Sequence, residues 1–324
     1  MRKFIIYILL FLSPLIFSCY LLDIFISKQL KRANLHAQGE YPVWNSIIDG
    51  EVNSDIVIYG SSTAWVQFNP TMIGDSLNTT TYNLGIDGHN FWLQYLRHKL
   101  LLKHNNKPKL IIHSVDNATL QKRTELYNPD QFLPYMLWNN DIENAIKSYK
   151  GYTFLDFKIP LIRYFGKTDA IKTVVKMMIN QRSNVVVRVR GYNEQDIQWN
   201  DDFDEAKKTM KYYKAIIDTP SIILFDKYLK ECVDNKINVI FVYPPEFIEG
   251  QNFIINRDEI INLYKYYSEK YNILFIDFSN DSISFQKQYF YNSIHLNKKG
   301  SELFTNKLIA RIKGINLNQS NYYN

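Results

Sequence analysis

The chain reads as an α/β protein built on a parallel sheet, and three observations say so. Short apolar runs rich in β-branched residues recur at 56–59, 108–113, 238–243 and 273–277, the length of strands buried on both faces. Between them lie segments with apolar residues at helical spacing, so strand and helix alternate. Two of the runs end in polar clusters, Gly60-Ser-Ser-Thr63 and Ser114-Val-Asp-Asn117. That places hydroxyl and carboxyl groups at the carboxyl edge of the sheet, where open α/β folds build their sites.

The chain is long enough for one large domain or one domain with an insertion: 324 residues, 46% of them hydrophobic and 15% aromatic. The net charge of +6 is mild, with 38 Lys and Arg interspersed among 32 Asp and Glu. No basic run has the length of a nucleic-acid arm, so no nucleic-acid partner is expected. Cys19 and Cys232 are too differently placed to pair, and neither has zinc spacing.

Taken in order, Arg2 and Lys3 precede an apolar run over 4–22 that extends to 26 if Asp23 is tolerated. It reaches the roughly 20 residues a membrane span needs, and no small-x-small site closes it. An uncleaved anchor is expected, with the rest of the chain exported on the cell-envelope side. The other readings are a lipoprotein processed at Cys19, since Ile16-Phe17-Ser18-Cys19 loosely resembles a lipobox, and a cleaved signal. Residues 33–54 read as a linker with a short helix near 44–48. Strand 56–59 leads to the serines, then to a short helix at 71–77 and an extended piece at 80–84 ending in Gly85-Ile-Asp-Gly88. A helix over 91–104 precedes strand 108–113. From about 120 to 220 an insertion, mainly helical over 132–138, 152–164 and 170–179, interrupts the alternation. Val and Arg alternate over 184–190, as in a strand or extended arm. The rhythm then returns with helices at 221–233, 259–270 and 301–312. The α/β domain is therefore expected over 55–315, followed by a polar tail over 316–324.

A serine hydroxyl becomes a nucleophile only when a base takes its proton. His295, just before the last helix, is the best candidate base for Ser61 or Ser62. A developing oxyanion needs donors aimed at it, and the Gly85 amide and the Asn117 side chain are candidates. His36, His89, His98, His104 and His113 show no metal-ligand spacing, although His89 follows the turn at 85–88 and is a candidate to line the pocket.

Gly60-Ser61-Ser62, Asn83-Leu-Gly85, Asp116-Asn117 and His295-Leu-Asn-Lys-Lys-Gly300 together resemble blocks I, II, III and V of the SGNH (GDSL-like) hydrolases, in that order, over residues 55–117 and 238–312. The whole is similar to membrane-anchored SGNH proteins of the bacterial envelope. The resemblance implies a flavodoxin-like α/β/α sandwich and a cofactor-free esterase, deacylase or O-acyltransferase. It implies Ser62 as nucleophile, His295 as base, and Ser62 N–H, Gly85 N–H and Asn117 as oxyanion donors. Two positions depart from the pattern. Block III is inverted, so strict alignment puts Asp116 at the oxyanion, where a carboxylate would repel it. The Asp-x-x-His of block V is Asn292-x-x-His295. An Asn at the equivalent position of a serine protease lowers kcat by about 10⁴. The expectation divides between a Ser62–His295 dyad steadied by Asn292, a third member at Asp277 or Asp281, and a fold that has lost hydrolysis. Acyl esters of envelope or extracellular glycans are the expected substrates, with Trp138, Tyr152 and Trp199 as candidate sugar-stacking faces. The alternative is a non-catalytic protein that binds a glycan or a membrane-bound acyltransferase.

Overall fold

The computed structural model describes residues 2–32, 39–88, 91–179 and 188–316. His36, His89, most of 184–190 and nearly all of the tail lie outside them. The chain forms two compact units: one combines residues 1–45 with 124–187, the other 46–123 with 188–324.

The second unit carries the sheet. Strands β1 (Ile56–Tyr59), β2 (Thr81–Asn83), β3 (Leu110–Ser114), β4 (Asn238–Tyr243) and β5 (Leu274–Asp277) are all parallel, in the order β2-β1-β3-β4-β5. This is the doubly wound order in which ligands bind outside the carboxyl ends of the strands. Because side chains alternate across a strand, Ile56 and Ile58 face one layer with Ile112, Ile240 and Val242. That layer is completed by Phe304 and Leu308 of helix Lys298–Asn316. Tyr59, His113 and Phe241 face the other layer, packing on Phe91, Phe225 and Tyr228 of helices Phe91–His104 and Thr219–Asp234. His98 and His113 are absorbed here: burial holds their pKa at about 4 and about 3. As neutral rings they bond Tyr59 and Tyr228 (3.3 and 3.1 Å).

The first unit is built from helix Arg2–Lys31 and the first part of the insertion. The helix contains a 22-residue stretch, Leu10–Lys31, long and apolar enough to cross a membrane. The insertion is less helical than its spacing predicts. Residues 129–135 form a 3-10 helix around Pro134, and 152–164 break into helix Phe154–Lys158 and a 3-10 turn, Ile162–Tyr164. Pro160 cannot donate to a continuing helix, and Leu161 lies in the left-handed region (φ 69°), which ends it. Of the three expected helices, the last forms near its expected place as Thr168–Met178.

Candidate active site

β1 delivers its serines through a turn that only glycine fits. Gly60 has φ +149°, and a Cβ there would stand 2.7 Å from the Ala64 Cβ and 2.8 Å from the Ser114 Cβ. Ser61 caps the next helix, Ser62–Gln67, accepting from Thr63 N–H (3.3 Å) and donating to Asp116 Oδ2 (2.5 Å). This short helix is not evident from its sequence. It is braced from below by buried Asn83, whose Nδ2 donates to Ala64 O (2.7 Å) and Phe68 O (2.9 Å). Ser62, its first residue, sits free of these caps with Oγ 2.7 Å from His295 Nε2.

The tautomer of His295 follows from its neighbours. Asn292 Oδ1 accepts the backbone N–H of Ile294 (3.0 Å) and of His295 (2.9 Å). Only an oxygen can stand there, so the 3.1 Å contact with His295 Nδ1 is donated by the ring. Nε2 then carries the lone pair that faces Ser62. The Tyr291 ring stacks on the imidazole (5.3 Å, 7°). Burial pulls the half-buried His295 down to about 4, and Asp202 pulls weakly upward. The ring is therefore neutral at pH 7. Neither Asp277 nor Asp281 supplies a third member. Asp277 accepts from Ser279 N–H (2.8 Å), and Asp281 pairs with Lys307 (2.6 Å) while capping Ile283.

The expected oxyanion donors are placed less simply. Gly85 does not line the cavity beside Ser62: its N–H donates to Asn83 Oδ1 (2.8 Å). Its lack of a side chain serves packing instead, since a Cβ there would lie 2.5 Å from Trp65 N. Gly88, three residues on in the same turn and at φ 68°, does line the cavity. Asp116 Oδ1 accepts from Ala118 N–H (2.8 Å) and Thr119 Oγ1 (2.9 Å), so both carboxylate oxygens hold the loop after β3 together. Asn117 reaches the cavity, but its Nδ2 donates to Tyr243 OH (2.6 Å) and lies 3.2–3.3 Å from both oxygens of Glu246. Glu246, unforeseen in the sequence, follows Pro244-Pro245 at the end of β4. Burial raises it to about 7, against the opposing pull of Tyr243, Arg257 and Asn117. Its place after a strand of the same sheet edge was the one signal available.

The cavity over Ser62 has a volume of about 470 Å³, in the usual range for small-molecule sites. Away from the dyad its wall is apolar: Phe203 and Ala206 of helix Asp202–Thr209, then Met210, Tyr213, Phe253 and Ile254. Trp199 packs on Phe247 (5.1 Å) instead of lining it, and Trp138 and Tyr152 belong to the other unit. Among the described residues no three His, Cys, Asp or Glu side chains converge as a metal site.

Together the sheet order and the Ser62–His295–Asn292 array define an α/β protein with a serine hydroxyl hydrogen-bonded to an imidazole at the carboxyl edge of its sheet. No protein-family model matches the chain, and no curated protein matches its sequence. Among solved structures it is similar to a protein described as lipolytic, of the G-D-S-L family, from Desulfitobacterium hafniense (13% identity, 79% of this chain and 98% of that one, TM-score 0.37). It is also similar to a protein described as an acylhydrolase from Bacteroides fragilis (15%, 86% and 97%, 0.34). A third similar structure is a GDSL-like lipase from Bacteroides thetaiotaomicron (12%, 79% and 88%, 0.32).

Proposed function

We propose that the protein is an SGNH-type serine esterase that cleaves acyl esters through an acyl-enzyme on Ser62. The observation that supports this best is the 2.7 Å approach of His295 Nε2 to Ser62 Oγ, with the ring's other nitrogen held by Asn292. Ser62 Oγ attacks the ester carbonyl as its proton passes to Nε2. The tetrahedral oxyanion is met by the Ser62 amide, at the first turn of its helix, and by the Gly88 amide at the cavity wall. Asn117 joins them when its amide turns from Glu246. The imidazolium then protonates the leaving alkoxide, and a water activated by the same ring releases the acid.

The apolar wall from Phe203 to Ile254 favours an acyl chain over a polar group on the carbonyl side. For the alcohol side, an envelope or extracellular glycan is the proposal, motivated by the apolar helix that precedes the domain. Transfer of the acyl group to a sugar hydroxyl in place of water is the same chemistry with a different acceptor. The second reading, a fold kept for binding alone, is favoured by one feature, the missing charge at Asn292. A fluorophosphonate probe separates the two. The purified chain is expected to label at Ser62, and Ser62→Ala not to label. An unlabelled wild type, beside a serine esterase that labels normally, sinks the esterase reading.

A further inference from the structure

Helix Arg2–Lys31 changes character along its length. Most side chains described over 3–22 are exposed and apolar, whereas Asp23, Ile26, Ser27 and Leu30 are buried. Asp23 makes a bidentate pair with Arg163 (both contacts 2.7 Å) and accepts from Leu161 N–H (2.8 Å). Ser27 bonds Tyr164 OH (2.8 Å). The apolar run 4–22 rises about 28 Å at 1.5 Å per residue, close to the ~30 Å hydrocarbon core of a bilayer. At the junction Tyr20 stacks on Trp138 (5.2 Å), which is 57% exposed. Paired aromatics at such a boundary are the usual furniture of a membrane–water interface.

The segments fastened to this junction expose apolar surface of their own. Helix Thr168–Met178 packs against the N-terminal helix and buries Ala170 and Val174. Its outer face nevertheless carries Ile171, Val175 and Met178, spaced i, i+4, i+7. Lys172 and Lys176 are exposed beside them. Phe165, next to Tyr164, is 91% exposed, and Phe154 lies exposed on the short helix whose end accepts from Trp138 Nε1 (Lys158 O, 3.0 Å). Single exposed apolar residues are ordinary. A stripe on a helix that already buries its other face, with lysines alongside, is the pattern of a helix lying in a lipid interface.

We propose that Trp138, Phe154, Phe165, Ile171, Val175 and Met178 form a collar seated in the interfacial layer of a lipid bilayer, around the point where helix Arg2–Lys31 leaves it. Lipid is the occupant because the face continues from a helix of membrane-spanning length in the same unit. Lys176 extends to anionic headgroups, its stem covering apolar surface, while Lys172 pairs with Asp169 (3.1 Å). The collar is independent of the esterase reading.

The test uses the full chain in a Cys19→Ser background, with Cys232 buried, reconstituted into phosphatidylcholine vesicles containing phosphatidylglycerol. An environment-sensitive fluorophore is attached through Phe165→Cys, Val175→Cys or Met178→Cys. Leu15→Cys serves as the deep reference and Lys147→Cys as the aqueous one. The three collar positions are expected to emit blue-shifted and to be quenched severalfold by lipids carrying a nitroxide near the headgroup. Leu15 responds to deep nitroxides and Lys147 to neither. Collar probes that behave like Lys147 overturn the proposal. So do blue-shifted but unquenched probes, which mean that a second copy or another protein covers the face.

Discussion

Replacing Asn292 by Asp tests the weakest link of the proposed mechanism. The substitution keeps the oxygen that accepts two backbone N–H groups and the Nδ1–H of His295 at 3.1 Å. What it adds is a full negative charge about 4 Å from the imidazolium centre. At an effective dielectric of about 20 that is worth about 4 kcal/mol, or about three pKa units. His295, now held at about 4 by burial, should then titrate near 7. A base of that strength takes the Ser62 proton more readily and is charged at less cost in the transition state. In serine proteases the reverse change lowers kcat by about 10⁴. A gain in the same sense, of about 10² or more at pH 8, is expected here. The sign of the pH effect follows. Only the neutral ring accepts the proton, so the acid limb of kcat/KM should move from about pH 4 in the wild type to about pH 7 in the variant. Hydrolysis of p-nitrophenyl esters over pH 4–9, with the His295 resonances followed by NMR, measures both. A His295 pKa that rises without any rise in kcat would show that imidazolium charge does not limit the reaction.

Three further outcomes follow from the same geometry. Gly85→Ala forces a Cβ to 2.5 Å from Trp65 N and should cost about 1–3 kcal/mol; an unchanged melting temperature refutes the close approach of this turn to the serine helix. Ala206→Trp fills the apolar end of the cavity. Wild type should gain about fourfold in kcat/KM per added acyl methylene, at about 0.8 kcal/mol each, while the variant should prefer acetyl esters. Equal chain-length profiles refute the acyl pocket. Glu246 is raised by burial from 4.5 to about 7, so between those values the folded chain holds a proton that the unfolded chain releases. Its contribution is complete below pH 4.5 and declines by about 3 kcal/mol as pH rises through 7; Glu246→Gln should flatten that part of the stability–pH curve, and parallel curves refute it.

The sheet was legible because its strands are short, apolar and separated by helical spacing, which is local information. The serine pair Ser61–Ser62 and His295 were legible for a related reason, since each follows a strand of one sheet edge; the choice of Ser62 rested on the likeness of Gly60-Ser61-Ser62 to the SGNH block I. The earlier part of the insertion was not legible, since over runs as short as 129–135 and 154–164 apolar spacing does not separate an α-helix from the 3-10 turns formed around Pro134 and Pro160. Gly85 was the expected donor by its match to block II, and nothing in the sequence pointed to Gly88. Only the Asn83 side chain, by taking the Gly85 amide, distinguishes them. Asp202 and the wall formed with Phe203 come from a segment about 90 residues before His295, and no spacing encodes that meeting. Glu246 stands between, announced by its place after β4 but not by its depth.

An asparagine at 292 also has a consequence for the pH range of the site. Asp116 and Asp202 line the cavity against the single cation Arg123 among its described lining residues, so negative charge is not lacking there; the group that meets Nδ1 is the uncharged Asn292. The uncharged partner leaves His295 a weak base, but one still neutral at pH 5, where a ring titrating at 7 would be about 99% protonated. Below pH 7 the Asn292→Asp variant should therefore lose about tenfold of its usable base per pH unit, while the wild type loses almost none above pH 5. If the variant's advantage at pH 8 is about 10², the two rates should meet near pH 5 and cross below it. A constant ratio of the two rates from pH 8 to pH 5 would mean that His295 is not the base.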